Sequence, residues 1–307
     1  MQRLLYSIII RKTLKSSGKF SLVDLSLLGA VLIWALNFTV IKNSLAEVGP
    51  HTFNAVRFVL ATAFIWYIIW RRGDWFSIKK SHIIPLIGLA LLGHTIYQWL
   101  FIIGIDFTYA ANAAIMLGTL PIWIAITSHL LSVEKLTPFR IGGVLLGFVG
   151  IVIIMTGGTE PVSLGSDSFL GDLLIISGAI LFGVYTIYSR KFLSTYTPLQ
   201  FSGLTIGIGT IALTLYAMPE LARTDWPEVS LSAWGGMFYS GCLGIALANL
   251  IWNNGLLHVG TVRTATYQNL VPAFGLLFGV VLLNESLGPW QYVGAALTVA
   301  GIALARR

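Results

Sequence analysis

The sequence predicts an all-α polytopic membrane protein: ten transmembrane helices, arranged as two inverted five-helix repeats around a central cavity, with both termini cytoplasmic. Three observations carry this. Of 307 residues, 56% are hydrophobic and only 10% charged, against roughly 25% charged in an ordinary soluble chain. The apolar residues fall in windows of about 20, the length that crosses about 30 Å of hydrocarbon. The cations lie almost wholly on alternate connections between those windows.

Taken in order, the windows are 22–43, 52–70, 82–103, 108–130, 138–156, 168–189, 199–218, 231–254, 262–283 and 288–305. Gly49-Pro50 closes the first, and Arg71-Arg72-Gly73 the second. Gly157-Gly158 ends the fifth and Pro219 the seventh. Barrel strands would instead be segments of about ten residues of alternating polarity, a pattern the chain lacks. Residues 1–20 hold Arg3, Arg11, Lys12, Lys15 and Lys19 with no acid. They read as a basic cytoplasmic segment on the inner leaflet. The first apolar run is too long for a signal-peptide core of about 7–15 residues, so it reads as an uncleaved span. Sixteen cations fall at the N-terminus, on the even-numbered connections and at the C-terminus. The odd-numbered connections carry Arg223 alone, beside Glu47, Asp106, Glu160, Asp167, Glu220, Asp225, Glu228 and Glu285.

This composition argues against a cytosolic enzyme or a nucleic-acid binder, despite the net charge of +7. The lone Cys242 leaves no disulfide within the chain and no cysteine-only metal site, and it reads as a small core residue. The expected surroundings are a lipid bilayer. The reading requires no cofactor, metal or nucleic acid, and a monomer suffices for it.

An internal repeat is legible. Pro121, Glu134 and Pro138 recur as Pro272, Glu285 and Pro289, all displaced by 151 residues. Gly93, Gly104, Gly143 and Gly150 recur as Gly244, Gly255, Gly294 and Gly301 at the same displacement. Lys42 and Pro50 match Arg190 and Pro198 at 148. The repeats span 21–157 and 168–307. Five spans each is an odd number, so the second inserts upside down. Inverted repeats meeting at the midplane are the architecture of alternating-access transporters.

Intramembrane polar groups need a cavity or a partner. His94, Tyr97, Gln98 and Phe101 share a face of the third span by helical spacing, and Asn249, Trp252 and Asn253 repeat the pattern in the eighth. Gln98 and Asn249 are equivalent under the repeat. Trp34 and Asn37 share a face of the first span, and Tyr185 and Tyr188 of the sixth. Tyr267 and Gln268 precede Pro272, which frees a carbonyl, and Trp99 adds aromatic wall. These twelve residues other than Phe101 and Trp252 form the candidate substrate site. Each amide has a second reading as a tie between helices, and His94 as a core histidine. Asn54 and Arg57 read as structural, Arg57 bonding a carbonyl or snorkelling. Trp66, Trp70, Trp75, Trp226, Trp234 and Trp290 read as interfacial belts.

The chain resembles the drug/metabolite transporter superfamily, in its ten-helix EamA-type branch. The residues that carry this are Trp34-Ala35-Leu36-Asn37-Phe38 with Lys42, Arg57-Phe58, and the two Pro…Glu…Pro signatures with a glycine-rich helix after each. Its aromatic richness is similar to that of YddG-type bacterial exporters of aromatic and other amino acids. The resemblance implies a cavity between spans 1, 3, 4 and 6, 8, 9, and a small-molecule substrate, here amino acids. Leu120-Pro121 departs from the Glu-Pro of many members, which removes one candidate coupling carboxylate. With no acid deep in a span, only His94 is left to switch near neutral pH. The expectation is facilitated passage or weak histidine-linked coupling. Alternatives are another metabolite or drug, such as a nucleotide-sugar or an organic cation. An intramembrane enzyme or a channel fits less well.

Overall fold

A computed structural model of the chain describes residues 20–107, 116–133, 136–156, 166–271, 273–274 and 288–305. These residues are almost entirely helical and include no strand. Six helices are long and apolar enough to cross a bilayer: α1 (Leu22–Leu45), α2 (Pro50–Arg72), α3 (Lys80–Phe107), α6 (Phe169–Phe192 of the helix Ser166–Phe192), α7 (Pro198–Leu221) and α8 (Leu231–His258). Shorter apolar helices are α4 (Met116–Leu130), α5 (Pro138–Thr156) and α10 (Pro289–Ala305). Between α8 and α10 lies α9 (Thr261–Thr266), continued by a 3₁₀ turn at Tyr267–Asn269. Parts of the predicted fourth and ninth spans (108–115, 272 and 275–283) lie outside the described residues. So do Glu134, Pro272 and Glu285 of the repeat signature.

Local chemistry sets the helix ends. Ser21 and Asp24 form a capping box at the start of α1, and Thr197 and Gln200 do the same for α7. Pro50 and Pro198 occupy the first turns of α2 and α7, where a missing N–H costs nothing. Gly73 closes α2 at φ 62°, and Gly260 makes the turn into α9 at φ 94°, conformations that favour glycine.

The surface is apolar and the interior mixed, as a lipid-facing protein requires. Ile84 and Leu231 are more than four-fifths exposed, whereas Arg57, Asn253 and Asp24 are buried. Trp70, Trp75 and Trp290 stand exposed at or near helix ends, where indole rings suit the membrane interface.

Helices equivalent under the repeat meet in matching ways. α1 packs on α8, and α6 on α3. α2 packs on α7, and α5 on α10. The crossing of α2 and α7 brings Thr62 against Thr210, whose hydroxyls lie 2.7 Å apart and whose numbers differ by 148. Gly203, seven residues before Thr210, packs on Ile69, seven residues after Thr62, so these two helices run antiparallel. The α5–α10 seam is built from backbone: a Cβ on Gly301 would lie 2.5 Å from the Gly147 nitrogen and 2.7 Å from the Gly143 oxygen. Gly150 faces Gly294 reciprocally. Small residues allow this approach where lipid offers helices no hydrophobic drive to associate.

α3 and α8 have the same length, 28 residues, and both ends are displaced by 151. Each carries a wide π turn, Leu91–Ile96 in α3 and Tyr239–Leu247 in α8. Such turns are rare and cluster at functional sites. Both contain the repeated glycine. Gly93 packs on the Tyr185 ring of α6, and Gly244 on the Asn37 amide of α1, which are themselves equivalent positions.

Candidate functional site

Mid-bundle, α1 and α8 bring Trp34 edge-on to Trp252, ring centres 5.6 Å apart. The Trp34 indole donates to the Gly244 carbonyl at 2.9 Å, an acceptor at the wide turn of α8. From Trp252 the aromatic band continues to Phe182 at 6.1 Å, and from Phe182 to Tyr97 at 4.7 Å and Tyr185 at 5.4 Å. Four helices, α1, α3, α6 and α8, therefore share one aromatic wall.

The predicted site residues fall into three groups. Trp34, Asn37, Tyr97, Tyr185, Asn249 and Asn253 lie on or beside this wall. Asn37 and Asn249 are buried, with side-chain oxygens that have no partner among the described residues. Asn249 spends its amide N–H on the Ile245 carbonyl of its own helix. Asn253 donates to Ser202 of α7 at 2.8 Å, and its oxygen is also unpartnered. His94 and Gln98 are tied to neighbouring helices: a ring nitrogen of His94 lies 3.0 Å from the Tyr185 hydroxyl, and Gln98 accepts from Arg57 at 2.7 Å. The remaining four stand elsewhere. Trp99 faces Tyr216 of α7 edge-on at 6.2 Å. Tyr188 is nearly half exposed, although Tyr185, one turn earlier, is fully buried. Gln268 is half-buried in the turn after α9. Tyr267 donates to Asp24 at 2.6 Å, at the start of α1.

Two arrangements exceed the sequence expectations. Arg57 is buried rather than snorkelling, and the oxygens it bonds belong to side chains. Its Nε and Nη2 donate to Asn54, Nη2 also to Gln98 of α3, and Nη1 to Ser240 of α8 at 3.1 Å. Phe53 and Phe58 flank it at 5.3 and 5.9 Å from their ring centres. The signal for this was an Asn three residues before an Arg inside an apolar span. The second arrangement is an ion pair: Arg263 at the head of α9 meets Asp24 at 2.6 Å. Asp24 also accepts from Ser21 and Tyr267 and has no solvent exposure.

At the opposite end of α1, Glu47 accepts from the Ser230 backbone N–H and then from its hydroxyl, both at 2.9 Å. These bonds hold its carboxyl below the ordinary glutamate range. A depressed carboxylate stabilises the fold above its unfolded value, and the contribution is lost as pH falls through the folded one. Lowering the pH below roughly 4.3 is thus expected to loosen the start of α8. The protection factors of the Ser230 and Ala233 amides, each referred to the intrinsic exchange rate at that pH, should fall in the wild type and be low at all pH values in Glu47→Ala. A wild-type protection factor that does not change with pH would refute this. Glu220 similarly accepts from the Thr52 N–H at 2.7 Å, tying the end of α7 to the start of α2. Glu47, Glu220, Arg223, Asp225 and Glu228 line a surface cavity at this end. Among the described residues no group of three His, Cys, Asp or Glu is placed to hold a metal ion.

An apolar-skinned helical bundle, with matched helices around a buried aromatic and amide core, defines a membrane transporter, and comparison with known proteins agrees. The chain belongs to the EamA-like transporter family, whose model matches it twice, over residues 21–156 and 169–307. An uncharacterized transporter of Archaeoglobus fulgidus is 30% identical over 89% of this chain and 93% of its own. The uncharacterized transporter YyaM of Bacillus subtilis is 25% identical over 91% and 92%. A protein crystal structure superposes with a TM-score of 0.79 at 20% identity, covering 94% of this chain and 97% of that one, a likeness of fold.

Proposed function

We propose that this transporter carries amino acids, aromatic ones included, by alternating access between two inverted five-helix halves, in a bacterial inner membrane and with both termini cytoplasmic. The observation that carries the reading is the wall of Trp34, Trp252, Phe182 and Tyr97 beside the unpartnered amide oxygens of Asn37 and Asn249. A buried acceptor without a donor costs about 1–3 kcal/mol, a cost that an ammonium group of a substrate relieves. The aromatic faces suit a large apolar side chain. The antiparallel crossing of the equivalent helices α2 and α7 supports the inverted arrangement. Direction in the cell follows the gradient, normally export of excess.

No carboxylate stands beside the aromatic wall among its described contacts, and His94 is bonded to Tyr185. Transport is therefore expected to be facilitated rather than driven by protons. The test is a panel of labelled amino acids in proteoliposomes, with and without a pH gradient. Saturable flux of aromatic amino acids that equilibrates and stops is expected. Strong uphill accumulation driven by protons would overturn facilitation, and no amino-acid flux would overturn the substrate class. His94→Ala, which removes the bond between His94 and Tyr185, is expected to cut the flux several-fold while leaving membrane insertion intact.

A further inference from the structure

The geometry points to Arg57 as the group that recognises a carboxylate, with the amide oxygens of Asn37 and Asn249 as the opposing pole for an ammonium, so that the site selects zwitterions. This rests on the amino-acid reading above and assigns its charge recognition to named atoms.

Arg57 carries a positive charge into the interior of a membrane protein, where charges are expected to be paired. Its bonded partners Asn54, Gln98 and Ser240 are all neutral, and none is a carboxylate. A guanidinium has five N–H donors in a planar fork that fits a carboxylate bidentately. The four bonds made here leave one N–H on Nη1 without a partner among the described residues and engage Gln98 and Ser240 through single neutral oxygens. A carboxylate that displaced them would bring the missing charge and a closer geometric match.

The opposite pole lies close by along α8. Ser240, which holds Arg57, and Gly244, which packs on Asn37, are four residues apart in the same wide turn. Asn37 and Asn249 are each at least nine-tenths buried, and each leaves an oxygen without a donor among the described residues. Charge without a counter-charge on one side, and acceptors without donors on the other, match the two ends of an α-amino acid. The Trp34–Trp252 pair beside them would meet its side chain.

The test uses the full chain in proteoliposomes, with labelled L-phenylalanine as the probe. Unlabelled competitors are L-phenylalanine, L-phenylalanine amide, which lacks the carboxylate, and N-acetyl-L-phenylalanine, which lacks the ammonium. Wild type is expected to favour the parent over either analogue at least ten-fold. Arg57→Gln is expected to lose at least ten-fold in flux, and its residual flux to be inhibited equally by the parent and the amide. Asn37→Ala is expected to lose discrimination against the N-acetyl compound while keeping it against the amide. Equal competition by all three compounds in wild type overturns the inference even if Arg57→Gln fails to fold. Discrimination preserved in a folded Arg57→Gln overturns it as well. A wild type that moves no phenylalanine or other labelled amino acid overturns the amino-acid reading itself, a separately recognisable result.

Discussion

Gly301→Ala is expected to lower the thermal unfolding midpoint of the detergent-solubilised protein by about 5–10 °C, while Gly142→Ala leaves it nearly unchanged. The added methyl at position 301 would meet the Gly147 nitrogen and Cα and the Gly143 oxygen at 2.5–2.8 Å. These are backbone atoms, which cannot swing aside as a side chain does. The α5 and α10 helices must part, losing the close contacts of the whole seam. Overpacking costs about 1–3 kcal/mol, and a rigid backbone neighbour places this case at the upper end. Each kcal/mol shifts the midpoint by about 2–4 °C in a large domain. At Gly142 the same methyl meets only the Leu304 side chain, at 3.4 Å. Equal melting of the two variants would mean that the seam is not a rigid contact.

Breaking the Asp24–Arg263 pair is expected to cost at least as much and also to change transport. Asp24 is buried, and Arg263 is 12% exposed. Removing one partner of such a pair strands the other, at about 3–5 kcal/mol. Asp24→Ala further deprives the Tyr267 hydroxyl and the Ser21 N–H of their acceptor. The pair joins α1, in the first segment matched by the family model, to α9, in the second. It is a latch across the two segments at one end of the bundle. Its loss should let that end open more readily, seen as faster labelling of cysteines introduced near Ser21. Arg263→Met combined with Asp24→Ala should recover part of the lost stability, since no charge is then left buried. Strictly additive losses in this double-mutant cycle would show that the two side chains are not coupled.

Much of the helical layout was legible because hydrophobic length and turn chemistry are local properties. Gly49-Pro50 and Gly73 bound helices as the sequence indicates. The glycines at 143, 150, 294 and 301 were visible as a repeat, and the structure turns them into one seam. The candidate site was less legible. Helical spacing groups His94 with Gln98, yet His94 bonds α6 while Gln98 bonds α2. The wide turn over Leu91–Ile96 alters the angle per residue on which such spacing depends. Arg57 reads as structural because its span is not among those the resemblance puts around the cavity, but a long side chain reaches from α2 to both α3 and α8. The Asp24–Arg263 pair joins residues 239 apart, and no local pattern announces it. Tyr188 shows the limit of face arguments: three residues from the fully buried Tyr185, it is 46% exposed.

The wide turns of α3 and α8 end at Ile96 and Leu247, the same place in each half. A wide turn accommodates an extra residue in an otherwise regular helix. Two independent insertions at matching positions are a poorer account than one insertion inherited twice. The irregularity therefore belongs to the unit that the family model matches twice, and a change in its geometry in one half has a counterpart at the same position of the other.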